Sequence, residues 1–283
     1  MRINGIILIN KERGISSNSV VNKVKHLLGA DKAGHLGTLD VLGEGLLPVT
    51  LGKGTKLFDY FLNKDKVYRT VFKFGYTTTT LDLEGEVTNK NDKAVTLDEL
   101  NQVLCNFIGK QNQMPPIYSA KKINGKKAYQ LARSGAIEIN LKPKEIEVYS
   151  IDVTKQLDFN TYELNIHCSS GTYIRSLCRD IANSLSTYGV MLSIQRTKCG
   201  NFSIDNAYTL DDIKNGKFQI ISLDSIFDYS SVNLSQSQSE RLLNGVLISF
   251  IGKDGLYKAY LNDEFLGITE VKDNFMKFKL RLI

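Results

Sequence analysis

Apolar and polar positions change period several times along this chain, and each change predicts an element. Residues 5–10 (GIILIN) form a continuous apolar run of the length of a buried strand. Ser16 or Ser17 can cap a following helix, in which Val20, Val21, Val24, Leu27 and Leu28 recur at helical spacing until Gly29 stops it. Residues 30–48 read as a loop with glycines at 34, 37, 43 and 45. The β-branched and aromatic run 67–76 (VYRTVFKFGY) predicts a strand with Tyr68 and Thr70 on one face and Val67 and Arg69 on the other. A polar, turn-like stretch follows at 77–86, then a helix from Leu97 to Ile108 capped by Thr96. Pro115-Pro116 breaks regular structure, and Ala128 to Ser134 reads as a helix ended by Gly135.

The second half continues with strands at 145–155 and 160–168, the latter alternating Tyr162, Leu164, Ile166 and Cys168 with Glu163, Asn165 and His167. Ser169-Ser170-Gly171 makes a turn, and Thr172 is placed to cap a helix with Ile174, Leu177, Cys178, Ile181 and Leu185 on one face. Strands and helices mix without a βαβ repeat, which predicts an α+β fold with a largely antiparallel sheet and flanking helices. Near residue 230 the composition turns polar and linker-like. A helical SQSERLLNG and short strands at 246–252, 256–262, 264–271 and 275–282 then predict a small β-rich module. The expected division is therefore 1–229 and 230–283.

Composition narrows the classes. Hydrophobic residues at 42% and charged residues at 23% are ordinary for a globular protein, which argues against disorder, collagen and coiled coil. The four Cys lack a C-x-x-C pair and only three His occur, so zinc-type ligand spacing is absent and the thiols read as reduced. No window approaches the ~18 apolar residues of a membrane span. A cytoplasmic protein with no membrane association is expected. The net charge of +6 is uneven: between residues 110 and 145 eight basic residues face two acidic ones, equal to the whole excess. A basic patch on a neutral body fits a phosphate backbone; a solvated lysine-rich loop is the alternative.

The segment GHLGTLDVLGEGLLPVT, residues 34–50, sets glycines around Asp40. Glycine permits close approach to a ligand, so Asp40 reads either as a reactive carboxylate or as a turn or cap residue.

This loop resembles the GHxGTLDPxAxGLL motif of the TruB family of tRNA pseudouridine synthases. Four further segments resemble family motifs in the same order: LINKERGISSNSVVNKVK, KVYRTVFKFGYTTTTLDLEG, QMPPIYSAKKINGKKAYQLARSG and CSSGTYIRSLCRDI. Together they cover residues 5–203. The resemblance implies the pseudouridine synthase fold and conversion of uridine to pseudouridine at position 55 in the T arm of tRNA, with no cofactor and no metal. It implies Asp40 as catalytic carboxylate, either attacking the ribose C1′ or taking a proton from the sugar, with Arg175 as its partner. Tyr68 is implied as the aromatic against the target uracil. Tyr173 and Ile194 are implied near the nucleotide, and His35 in holding the extruded base. Lys11 matches the N-terminal motif and is expected to support the loop around Asp40.

The basic stretch matches an RNA-binding insertion, with Lys121, Lys122, Lys126, Lys127 and Arg133 as its patch. The last 54 residues resemble a PUA-type RNA-binding barrel. The expected partner is tRNA, bound by a monomer. Glu12, Leu36, Val41, Glu44 and Gln195 depart from the family pattern without removing a catalytic group. Two alternatives are a family member acting on another RNA and a non-catalytic tRNA-binding or folding protein.

Overall fold

A computed structural model describes residues 3–118, 122–123, 126–127 and 141–283. The strands are β1 (Gly5–Lys11), β2 (Ala33–His35), β3 (Glu44–Leu51), β4 (Lys66–Phe74), β5 (Tyr76–Thr78), β6 (Val87–Lys90), β7 (Gly109–Gln113), β8 (Lys122–Ile123), β9 (Lys126–Lys127), β10 (Lys144–Asp158), β11 (Thr161–Cys168), β12 (Gly189–Cys199) and β13 (Phe202–Ser203). The strands β14 (Ser230–Asn233), β15 (Ile248–Ser249), β16 (Gly255–Leu261), β17 (Glu264–Lys272) and β18 (Phe275–Arg281) complete the chain. The helices are α1 (Ser17–Leu27), α2 (Phe58–Leu62), α3 (Leu97–Leu104), α4 (Ile174–Ser184), α5 (Leu210–Lys214) and α6 (Gln236–Leu243).

Among the described residues nine strands form one sheet in the order β1-β3-β12-β4-β11-β10-β7, with β2 paired to β3 and β13 to β12. All pairings in it are antiparallel except β3 with β12. The α+β expectation holds. On β4 the burial alternates, with Tyr68, Thr70, Phe72 and Phe74 inward, as the period of two predicts. That face joins Ile7, Ile9, Leu47, Val49, Leu164, Ile166, Leu177 and Ile181 in one core under α1, α3 and α4. Ile6, Leu8 and Leu46 belong to a second core with Phe227, Ile268 and Leu282. Burial on both faces is why β1 reads as an unbroken apolar run.

Several expectations need correction. Residues 44–48, expected as the end of the loop, belong to strand β3, because β1 pairs with that strand residue by residue from Gly5↔Leu51 to Lys11↔Gly45. Residues 30–35 likewise include β2. Thr172 does not cap α4: the N-cap is Tyr173 without a side-chain bond, and the Thr172 hydroxyl donates to the Ser169 carbonyl at 2.9 Å. The polar start of the C-terminal region is β14, in parallel register with β16, where a linker was expected. The strand expected at 246–252 shrinks to β15. Among the described residues β14, β16, β17, β18 and β15 form a second sheet in that order. Thr96 does cap α3, through a full capping box with Glu99. The helix expected at 128–134 lies outside the described residues.

Candidate active site

The loop between β2 and β3 is held from three sides, which fixes the path of the backbone at Asp40. The Ser17 hydroxyl donates to Leu39 O at 2.8 Å and accepts from Leu39 N–H at 2.9 Å. The Lys11 ammonium, only 1% exposed, donates to the carbonyls of Gly43 (2.5 Å), Glu12 (2.9 Å) and Val41 (3.4 Å). The Arg196 guanidinium donates from Nε to Leu46 O at 2.8 Å, from Nη2 to Gly37 O at 2.9 Å and from Nη1 to Thr38 O at 3.4 Å. Where the loop re-enters the sheet, Gly45 has φ +94°, and a Cβ there would lie 2.5 Å from Arg196 O. Only glycine fits that crossing.

So held, the loop carries Asp40 outward, its side chain 52% exposed. Arg175, in the first turn of α4, points its 8% exposed side chain into the same space. Its Nη2 lies 2.9 Å from Asp40 Oδ2 and its Nη1 3.2 Å from Asp82 Oδ2. It also donates to the carbonyls of Thr80 (2.9 Å) and Tyr118 (3.1 Å). Asp82 accepts from the Thr80 hydroxyl at 2.5 Å and from Glu84 N–H at 3.0 Å. The guanidinium is thus clamped between a buried carboxylate and an open one, with its fork fixed.

Asp40 and Arg175 line two adjoining cavities of about 530 and 630 Å³. The first is walled by His35, Tyr68, Tyr173, Ile194 and Arg196, with Phe58 and Lys66. Tyr68 on β4 faces Arg196 on β12 across the sheet register, and Ile194 faces Thr70. Burial pushes the Tyr68 phenol up to about 12, against the pull of Arg196. Burial also pushes Lys11 down to about 8, although Asp40 and Glu44 favour its charge. His35 and Lys66 are lowered first by burial, and the Arg196 charge lowers both further. His35 Nδ1 is enclosed and makes no hydrogen bond. Tyr173 is held by its main chain: Gln113 accepts from Tyr173 N–H at 2.8 Å and donates to Tyr173 O at 3.1 Å.

The structure therefore brings Asp40, Arg175, Tyr68, Tyr173, Ile194 and His35 to one cleft. Lys11 lies beneath it, its ammonium occupied by the loop carbonyls. The expected RNA patch is not described: Lys121 and Arg133 lie outside the described residues, and Lys122, Lys126 and Lys127 are described only as backbone in β8 and β9. Arg179, one turn after Arg175, donates to Met114 O at 3.0 Å and pairs with Asp180 at 2.8 Å. Sequence reasoning missed Asp82, Ser17, Gln113 and Arg196. Asp82 stands inside the TTTTLDLEG motif, which is the available signal, but the motif alone gives it no role. Among the described residues no cluster of three His, Cys, Asp or Glu could hold a metal, and no helix is long and apolar enough to cross a membrane.

The model of "TruB family pseudouridylate synthase (N terminal domain)" matches residues 25–174. A protein of Caldanaerobacter subterraneus subsp. tengcongensis called tRNA pseudouridine synthase B is 38% identical over 272 residues, covering 95% of each chain. A protein of the same name from Francisella philomiragia is 40% identical over 282 residues, covering 95% of this chain and 92% of that one. Among solved structures, a chain of a Cbf5-Nop10-Gar1 complex superposes with TM-score 0.70 at 22% identity, over 99% of this chain and 85% of that one. A chain of an H/ACA RNP bound to a substrate RNA containing 2'-deoxyuridine gives TM-score 0.69 at 20% identity, over 99% and 85%. These two likenesses extend the fold through the second sheet.

Proposed function

As the chain belongs to the TruB family of pseudouridylate synthases, we propose that it isomerises uridine to pseudouridine at position 55 in the T arm of tRNA, with Asp40 as the catalytic carboxylate. The observation that carries this reading is the Asp40–Arg175 pair, 2.9 Å apart at the edge of a cleft walled by Tyr68 and Ile194. The reaction needs no co-reactant. The C1′–N1 bond breaks, the base turns, C5 bonds to C1′, and the proton lost from C5 is balanced by one gained at N1.

Asp40 is exposed enough to meet a ribose, either at C1′ as nucleophile or at C2′ as base. Arg175 orients it, and Asp82 holds Arg175. Tyr68 and Ile194 receive the uracil between an aromatic and an aliphatic wall. A base in a stacked loop must first be extruded, which costs a few kcal/mol. His35 and Tyr173 at the cleft edge offset that cost by occupying or clamping the space. Recognition of the T arm then rests on loop shape and phosphate contacts, with Lys121, Lys122, Lys126, Lys127 and Arg133 supplying the latter. Lys11 supports the loop.

We assign residues 1–229 to the catalytic domain and 230–283 to a PUA-type module that takes the acceptor end of the same tRNA. The five-stranded order of the second sheet with α6 against it supports that assignment. The enzyme acts as a cytoplasmic monomer without cofactor.

The test is incubation of wild type and Asp40→Asn with unmodified tRNA transcript, followed by mapping at single-nucleotide resolution. Wild type is expected to modify position 55. The variant should lose turnover to below about a thousandth while binding tRNA within about tenfold, because the amide keeps the shape and loses the chemistry. Turnover by Asp40→Asn above that level would remove Asp40 from its role.

A further inference from the structure

Gln113 is the last residue of β7 and the one residue of that strand that is fully buried, at 2% exposure. Both polar atoms of its side-chain amide go to a single residue 60 positions away: Oε1 accepts from Tyr173 N–H at 2.8 Å, and Nε2 donates to Tyr173 O at 3.1 Å. Tyr173 is the N-cap of α4, in extended backbone (φ −96°, ψ 109°) and without a side-chain cap bond. Ile174, Leu177, Cys178 and Ile181 pack α4 into the core and so fix its axis. They do not fix the residue before its first turn.

Satisfying the helix end needs only an acceptor for the Tyr173 N–H, because Tyr173 O already accepts from Leu177 N–H at 3.0 Å within α4. The second bond exceeds that need. An amide bonded to both the N–H and the C=O of one extended residue acts as a strand partner does. It fixes the rotation of the backbone there, and with it the direction in which Cβ leaves. That direction leads to the cleft, whose wall Tyr173 shares with Asp40, Tyr68 and Arg175.

We propose that Gln113 is a positioning residue for the reaction, holding Tyr173 at the angle from which its side chain clamps the extruded uridine. This rests on the function proposed above. Extrusion is uphill by the lost stacking, so the fraction of bound tRNA that can react depends on what the flipped nucleotide meets in the cleft. A side chain whose backbone is already fixed loses little further freedom when the RNA arrives. Gln113 is buried and offers RNA almost no surface, so its effect belongs to the rate of bound tRNA rather than to affinity.

The experiment is a double-mutant cycle: single-turnover rates at saturating enzyme for wild type, Gln113→Met, Tyr173→Ala and the double variant, with tRNA affinity and thermal melts for each. Gln113→Met keeps the length of the side chain and loses both bonds. It should slow single turnover by about ten- to a hundredfold with affinity changed less than about threefold. The double variant should be slower than Tyr173→Ala by no more than about threefold, because Gln113 acts through the side chain already removed. A wild-type rate for Gln113→Met, with only its melting temperature lowered, overturns the proposal and leaves Gln113 a support of the helix end. Rate losses that multiply across the cycle overturn it as well. If Gln113→Met does not fold, Tyr173→Ala still decides: a wild-type rate without that side chain leaves Gln113 nothing to position. Failure of wild type itself to make pseudouridine would instead overturn the function on which this rests.

Discussion

Arg175 meets Asp40 at 2.9 Å from the first turn of α4, and its second amine is occupied by the buried Asp82 at 3.2 Å. The geometry is directional. The guanidinium cannot rotate away from Asp40 without leaving Asp82 and the carbonyls of Thr80 and Tyr118. The open carboxylate is therefore aimed by a cation that is itself held.

Arg175→Lys keeps one charge and loses the fork. Single-turnover pseudouridine formation should fall by about ten- to a thousandfold, the scale of an electrostatic interaction with the transition state worth several kcal/mol. Arg179→Lys is the comparison: one turn later it binds Met114 O and Asp180 and touches neither carboxylate of the site. Equal losses for the two variants would argue for a general effect of α4 rather than the Asp40 pairing.

Asp82→Asn removes the buried anchor while keeping its size. The expected result is a rate about ten- to a hundredfold lower, because Arg175 keeps its charge but loses its fixed orientation. Affinity for tRNA should change little, since Asp82 is 4% exposed and offers RNA almost no surface. A variant that binds tRNA poorly at an unchanged single-turnover rate would contradict this.

Lys11 gives a pH signature. Its folded-state value of about 8 lies below the ordinary 10.5. Between those values the unfolded chain binds more protons, so this group makes stability rise with pH across that window and contributes no slope below it. Denaturant titrations of wild type and Lys11→Met at pH 7, 8, 9 and 10 should show wild type gaining on the variant above pH 8. A stability difference independent of pH would mean that burial does not depress the ammonium.

Replacing Lys121, Lys122, Lys126 and Lys127 with Gln should weaken tRNA binding and flatten its salt dependence. For every phosphate that the variant no longer neutralises, the log–log slope should drop by roughly 0.7–0.9. Binding isotherms at four salt concentrations measure it. An unchanged slope would return these lysines to a solvated face.

Much of this was written locally in the chain. The alternation in β4 placed Tyr68 and Thr70 inward, the capping box at Thr96 opened α3, and the apolar stripe of α4 named its buried face. The five motifs named Asp40, Arg175 and Tyr68 together. These features depend on neighbours within a few residues, or on inherited spelling that survives without a structure. Other features depend on partners far along the chain. Residues 44–51 carry the glycine and proline of a loop, and become a strand because β1 and β12 lie on either side. The polar β14 becomes a strand only because β16 lies alongside it. Thr172 has the residue type of a cap, but the turn closes through Ser169 and engages its hydroxyl there. The anchoring by Asp82 and the buried frame of Arg196 were invisible for the same reason. Arg196 reaches loop carbonyls as much as 159 residues away, and no pattern of period two or 3.6 reports a bond that exists only after distant strands have paired.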